Sequence, residues 1–157
     1  MPVSNRSLPS IEIDQEDAPD NILENILQVI IEESLHRPSV LTLVVRNDYQ
    51  PGASKEKPWE RQKLFQIGKT IKVGFSASVP KTEADKKDSE EIPYLFQGEI
   101  TALETQFTEQ TQAPIIVKAY DISHRLHRGY HNRSFQNMTD SDVVEKIADE
   151  GGIEIDQ

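Results

Sequence analysis

Alternating apolar and polar residues predict that much of this chain forms strands. In residues 70–77, Ile71, Val73 and Phe75 alternate with polar or small residues, as they would in a half-buried strand. Residues 40–46 are apolar and β-branched over the length of a strand. Further strands are predicted at 11–13, 94–107 and 115–120. The apolar positions of the longest one change face partway along, which predicts a bulge or bend.

Residues 20–35 fit two patterns. Their apolar residues recur at helical spacing behind a possible N-cap at Asp20, so periodicity alone favours a helix. The same stretch is β-branched and alternates at Val29 and Ile31, as in a strand. The residues at 36–38, His-Arg-Pro, are expected to end either element.

Strands at this spacing, joined by turns, predict a mainly β, β-rich α+β fold. The expected architecture is a small antiparallel barrel or curled sheet with one C-terminal helix at about 140–150. Residues 47–63 and 80–93 are polar or rich in Pro and charge, and are predicted to be loops. Trp59 is expected to pin the first loop onto the core.

The C-terminal helix has clear start and stop signals. Thr139 is placed to be the N-cap, and Asp142 at position N3 completes a capping box. Gly151 and Gly152 supply the C-terminal stop. Residues 153–155, Ile-Glu-Ile, alternate again and are expected to begin a further element that continues beyond residue 157.

Composition excludes several classes of protein. The 157 residues carry a formal net charge of −10, which argues against wrapping nucleic acid or lying on an anionic membrane. The sequence contains no cysteine, so disulfides and thiolate chemistry are excluded. No stretch matches a signal peptide or a transmembrane segment, and a cytoplasmic location is expected.

Residues 118–133 are basic although the chain as a whole is acidic. They contain four basic residues and one acid, which gives a local net charge of +3. Clustered charge of one sign predicts a binding surface. Its arginines lie among aromatic residues, which leaves a nucleic-acid-binding module open as an alternative. The residues concerned are Arg125, Arg128, Arg133, Tyr130 and Phe135.

His124, His127 and His131 leave a metal-dependent hydrolase open as a weaker alternative, because imidazole binds zinc. Their spacing crosses Gly129, whereas zinc ligands need convergent geometry from rigid elements. The sequence contains no nucleophile elbow and no glycine-rich phosphate loop. We therefore expect neither catalysis nor a cofactor.

Residues 120–148, YDISHRLHRGYHNRSFQNMTDSDVVEKIA, resemble the signature of phage late control D and VgrG-type hub proteins. Residues 96–104, FQGEITALE, are similar to the strand that precedes this signature in the family, and 32–43, EESLHRPSVLTL, are a weaker match. The signature positions in this chain are His124, Arg125, Leu126, His127, Arg128, Gly129, Arg133, Phe135, Asp140, Ser141 and Asp142.

The resemblance implies a structural hub or spike-base subunit of a contractile injection machine. Such a subunit forms a homotrimer that adapts a hexameric inner tube to a trimeric spike, with spike-tip and other baseplate proteins as further partners. Neither nucleic acid nor membrane insertion is implied. The resemblance also implies a strand at 27–35, which overrides the helical periodicity there.

The expected organisation has three parts: an N-terminal segment at 1–19, a β-barrel hub domain at 20–137, and the capped helix with the start of a further element at 138–157. The 157 residues of this sequence do not include the second barrel and needle that usually follow in the family. Tyr130 and His131 also stand where a basic residue and Thr are more usual.

Overall fold

The structure, a computed structural model, describes residues 8–47, 63–76, 94–105 and 113–153. Seven strands form one antiparallel sheet in the order β2-β1-β5-β6-β7-β4-β3. The strands are β1 Leu8–Ile13, β2 Glu16–Asp17, β3 Ile26–Ser34, β4 Arg37–Val45, β5 Thr70–Ser76, β6 Tyr94–Thr105 and β7 Ile115–Tyr120. The helices are α1 Asp20–Leu23, a 3₁₀ helix Ile122–His127 and α2 Asp140–Gly151.

The sheet is open, because β2 and β3 end the strand order without pairing to each other. The predicted mainly β fold with one C-terminal helix is confirmed. Its described strands form an open sheet and not a closed barrel. No helix in the described ranges has the length and apolar content needed to cross a membrane.

The core lies on one face of the sheet and follows the period of two along each strand. In β4 and β7 the buried residues alternate with partly exposed ones. The largest fully buried side chains are Phe65, Ile11, Leu41, Leu43, Ile71, Ile100, Ile115, Val45, Val73 and Val117. Phe65 belongs to none of the seven strands and packs on this face from the segment before β5.

β3 is a strand, so the resemblance predicted it correctly and the helical periodicity did not. It pairs with β4 through seven residue pairs, and Val29 and Ile31 pack against the core. Among the described residues before it, helical structure is limited to the four residues of α1. The predicted N-cap at Asp20 is wrong: Pro19 holds that position, and no side chain caps the helix.

Other boundaries differ from the predictions. β4 begins at Arg37, three residues early, since the turn before it occupies only Leu35 and His36. β1 is longer than predicted and pairs with β5 along its whole length. The predicted bulge in β6 is confirmed by a register shift between Ile100 and Ala102.

Some predictions fall on residues that the structure does not describe. The loop at 80–93, most of the loop at 47–63, and Trp59 lie outside the described residues. So do residues 154 and 155, where a further element was expected to begin.

Candidate functional site: the basic corner

Residues 118–133, here called the basic corner, leave the end of β7 and turn towards α2. The 3₁₀ helix Ile122–His127 directly follows β7. Asp121 is its N-cap: Oδ1 accepts hydrogen bonds from the backbone N of Ser123 at 2.9 Å and from its hydroxyl at 2.5 Å. Satisfying free N–H groups at a helix start is the role for which Asp is favoured.

Asp121 also joins the corner to β4. Its Oδ2 accepts a hydrogen bond from the backbone N of Ser39 at 2.6 Å, and its own N–H donates to the Ser39 carbonyl at 3.0 Å. Burial raises the pKa of the Asp121 carboxyl, but the bonds from Ser123 and Ser39 outweigh it and leave the pKa below its ordinary value. Asp121 is therefore held as a charged acceptor between two elements.

Arg125 connects three parts of the fold. Its guanidinium pairs with Glu99 of β6, with Nε 3.3 Å from Oε2. Its Nη1 donates to the carbonyls of Gly151 at 3.3 Å and Gly152 at 3.1 Å, at the C-terminus of α2. Carbonyls at a helix end lack intrahelical partners and carry partial negative charge. Arg125 supplies a cation there, whereas the last turn of α2 itself has no basic residue.

The other basic residues of the corner also find partners nearby. Lys118 pairs with Glu104 of β6, and Arg133 with Glu150 of α2. With Arg125 on Glu99, three acids from outside the corner join Asp121, so four acidic groups stand against four basic ones. The local charge excess of the sequence is thereby neutralised in the fold, which removes the main physical argument for phosphate binding.

His124 is a hydrogen-bonded link within the corner. Its Nδ1 lies 2.7 Å from the Asp121 carbonyl and its Nε2 lies 2.6 Å from Arg128 Nη2. A carbonyl only accepts and a guanidinium only donates, so both bonds form together when Nδ1 carries the hydrogen and Nε2 accepts. Glu99 Oε2 lies 3.6 Å from Nε2.

The three histidines do not converge. His127 and His131 are exposed, whereas the His124 side chain is only 11% exposed. Among the described residues, no group of three or more His, Cys, Asp or Glu side chains is placed to hold a metal ion. A hydrolase built on these histidines therefore has no geometric support.

The capping box of α2 is confirmed. The Thr139 hydroxyl accepts from the backbone N of Asp142 at 3.3 Å, and an Asp142 carboxylate oxygen accepts from the Thr139 N–H at 2.8 Å. Those bonds hold the pKa of Asp142 below its ordinary value. Asp140 adds a second acid to the first turn, where the helix dipole favours negative charge.

The remaining signature residues serve the same corner or face solvent. Leu126 lies against the C-terminus of α2, since a Cβ on Gly151 would stand 3.3 Å from Leu126 Cδ2. Gly129 has φ of +80°, a left-handed conformation that glycine adopts without strain. Lys146 Nζ lies 5.8 Å from the centroid of the Phe135 ring, and Ser141 is exposed.

Sequence reasoning missed the partners that hold the corner in place. Glu99 and Gly98 stand in a matched motif, yet their roles were not foreseen. A Cβ on Gly98 would lie 2.2 Å from the Tyr120 carbonyl oxygen, so only glycine lets the two strands approach this closely. A glycine inside a strand was the available signal. Ser39 gave none, because it lies 82 residues from Asp121 in the sequence.

Comparison with solved structures finds a likeness in fold. No family model matches the chain, and no curated protein matches it. Among solved structures, the chain is similar to the 43 kDa tail protein of prophage MuSo2 from Shewanella oneidensis, with a TM-score of 0.64 and 11% sequence identity. The match covers 95% of this chain but spans only 39% of the tail protein. At this identity the likeness establishes the fold: the chain has the fold of part of a phage tail protein.

Proposed function

We propose that this chain is a structural subunit of a phage tail-like particle, and specifically the hub that adapts a hexameric inner tube to a trimeric spike. The observation that carries the proposal is the fold shared with a phage tail protein over 95% of the chain. The resemblance of residues 120–148 to the hub signature supplies the finer assignment. Because the chain spans 39% of that tail protein, the role of a whole hub is part of the proposal.

The geometry of the corner supports a structural role over a catalytic one. Its charged side chains bind other parts of the same chain: Arg125 binds Glu99 and the end of α2, and Asp121 binds Ser39. Among the described residues, every buried side-chain nitrogen or oxygen has a hydrogen-bond partner. Bonds of this kind join separate elements of the fold, as a structural role requires.

The partners proposed are two further copies of this chain, the inner tube protein, the spike tip and other baseplate proteins. Assembly within the cytoplasm and incorporation into the particle follow from that role. Catalysis, a cofactor and nucleic acid have no part in it.

Light scattering coupled to size-exclusion chromatography tests the assembly, with the chain alone and with the inner tube protein of the same particle. We expect a trimer, or a complex with tube rings that contains three copies of the chain. A chain that stays monomeric alone and with the tube protein would contradict the hub assignment.

Immunogold electron microscopy of particles from the source organism tests the location independently. A hub predicts label at one end of each particle, where tube and spike meet. Label distributed along the tube would make the chain a tube component, and unlabelled particles would remove it from the tail altogether.

A further inference from the structure

β3 differs from every other long strand in having a neighbour on one side only within the described part of the chain. It is nine residues long, and register shifts interrupt its pairing with β4 near Leu27 and near Glu33. Between these irregularities, the five residues from 28 to 32 keep regular register with β4. Their unpaired edge can offer backbone donors and acceptors to another strand.

The two ends of the sheet are protected differently. β2, at the opposite end, consists of two exposed acids, Glu16 and Asp17, and short charged edges resist further pairing. In β3, Leu27 is 50% exposed and Ile30 is 38% exposed, and residues 26–31 contain neither charge nor proline. The charges of β3 lie at its C-terminal end, and its bulges leave the centre of the strand regular.

Ile30 pairs with Thr42 of β4, and apolar side chains on β4 and β7 flank that pair. Val44 pairs with Gln28 of β3 on one side and with Ile116 of β7 on the other, and both apolar side chains are partly exposed. Val40 pairs with Glu32 in the same outward row. A strand added to β3 would place its outward side chains next to Ile30, at the margin of this surface.

The acids at the C-terminal end of β3 indicate which charge a strand bound at this edge would carry. Glu32 and Glu33 are exposed beyond the apolar stretch. A second copy pairing edge to edge is poorly suited, because its own sheet edges end in the acids of β2 and β3. A basic partner segment would instead be attracted to the two carboxylates.

We propose that the open edge of β3 binds an extended segment of another protein by strand addition, and that this segment carries basic residues before an alternating apolar stretch. All strand pairs in this sheet are antiparallel, so the added strand runs antiparallel to β3. Its N-terminal residues then lie beside Glu32 and Glu33. Main-chain hydrogen bonds supply affinity in this mode of recognition, and alternate side chains supply specificity. The inference does not depend on the tail role.

A designed peptide tests the site with the full chain. The probe has two lysines followed by alternating valine and threonine, and its binding is followed by fluorescence anisotropy up to about millimolar concentration, where weak strand addition is still measurable. We expect binding that weakens about fivefold when the lysines are replaced by glutamates or moved to the C-terminus, as for two exposed ion pairs. Equal affinity for all three peptides, or no binding of the first, would overturn the proposal.

Two further comparisons distinguish strand addition from non-specific binding of the peptide. Methylating alternate backbone nitrogens of the peptide removes its hydrogen-bond donors and is expected to abolish binding. Ile30→Lys should weaken binding at least about tenfold, because an apolar contact is lost. Val144→Lys places the same cation at an exposed apolar position of α2 and should leave binding unchanged. Equal loss in both variants, or retained binding of the methylated peptide, would contradict the assignment.

Self-association is the remaining alternative. If the chain alone forms a dimer in light scattering and Ile30→Lys makes it monomeric, the occupant of this edge is a second copy and the partner proposed here is wrong. Hydrogen exchange locates the contact, since peptide binding is expected to slow exchange at residues 28–32 and not in α2.

Discussion

The sequence and the structure indicate different binding surfaces: the sequence indicates the basic corner, and the structure indicates the edge of β3. In the sequence, the charge of the corner predicts a binding surface, whereas the β3 residues favour a helix by periodicity alone and a strand by the resemblance. In the fold, the corner's charges are used internally by Glu99, Glu104 and Glu150, while β3 has a neighbour on one side only within the described residues. A surface is available for binding when its groups lack partners, and the density of charge along the sequence does not report this.

Four predictions test this contrast. Substitutions in the corner should lower stability, because its groups bond to several elements of the fold. Substitutions on the β3 edge should leave stability nearly unchanged and alter association instead.

The largest effect is expected for Gly98→Ala. The added methyl would lie 2.2 Å from the Tyr120 carbonyl oxygen and 2.7 Å from its carbon, so the backbone of β6 or of the corner must move. We expect a loss of about 3 kcal/mol in the free energy of unfolding, measured by urea denaturation. Gln97→Ala, at an exposed neighbouring position, is the control. A loss below 1 kcal/mol, roughly the cost of an ordinary surface change, would mean that the close approach is unimportant.

Arg125→Ala is expected to cost about 2 kcal/mol, because it leaves Glu99, whose side chain is 13% exposed, without its cation and frees the carbonyls at the end of α2. Arg128→Ala removes an exposed arginine bonded to His124 and serves as the matched control. Faster amide exchange in the last turn of α2 should accompany the first substitution alone. Equal losses for the two arginines would remove Arg125 from its linking role.

Asp121→Asn is expected to cost about 1–2 kcal/mol at neutral pH, because the amide NH₂ faces backbone donors that the carboxylate accepted. The pKa of Asp121 is lowered by folding, so its charge stabilises the fold above the unfolded value, near 3.9. That stability is lost as the pH falls through the folded pKa. The difference in the free energy of unfolding between Asp121→Asn and the wild type should therefore shrink as the pH falls. Urea titrations at pH 7 and at successively lower pH measure it.

Asp149→Asn changes an exposed carboxyl on α2 and is the control for charge alone. If the difference in the free energy of unfolding between the wild type and Asp121→Asn stays constant from neutral to acidic pH, the carboxylate charge does not hold the corner.

The smallest change in stability is expected for Ile30→Lys, within about 0.5 kcal/mol of the wild type, because the side chain faces outward at the margin of the sheet. Thermal unfolding measures it. A loss of several kcal/mol would place Ile30 in the core and remove the distinction between edge and corner.

Local signals were sufficient where neighbouring residues make the contacts. The capping box at Thr139 and Asp142, the helix end at Gly152, and the strands β5 and β7 were all predicted from residues close in sequence. The bulge in β6 was predicted in the same way, from apolar positions that change face. These features depend on backbone geometry and side-chain period, which a short segment carries within itself.

β3 was decided by its neighbour. Its apolar residues satisfy helical spacing as well as strand alternation, and pairing with β4 selects the strand. The periodic signal of a short apolar stretch is compatible with both, so tertiary contacts choose between them. The resemblance to hub proteins gave the right answer because such a resemblance reflects whole folds.

The sequence by itself determined the mainly β architecture, the capped C-terminal helix and the position of the basic corner along the chain. Only the tertiary structure decided that Arg125 joins β6 to the end of α2, that Asp121 anchors on Ser39, and that β3 ends the sheet. Arg125 and Glu99 lie 26 residues apart, and Asp121 and Ser39 lie 82 apart. Contacts of that range form between groups that folding brings together, and nothing in the local pattern of either segment specifies its partner.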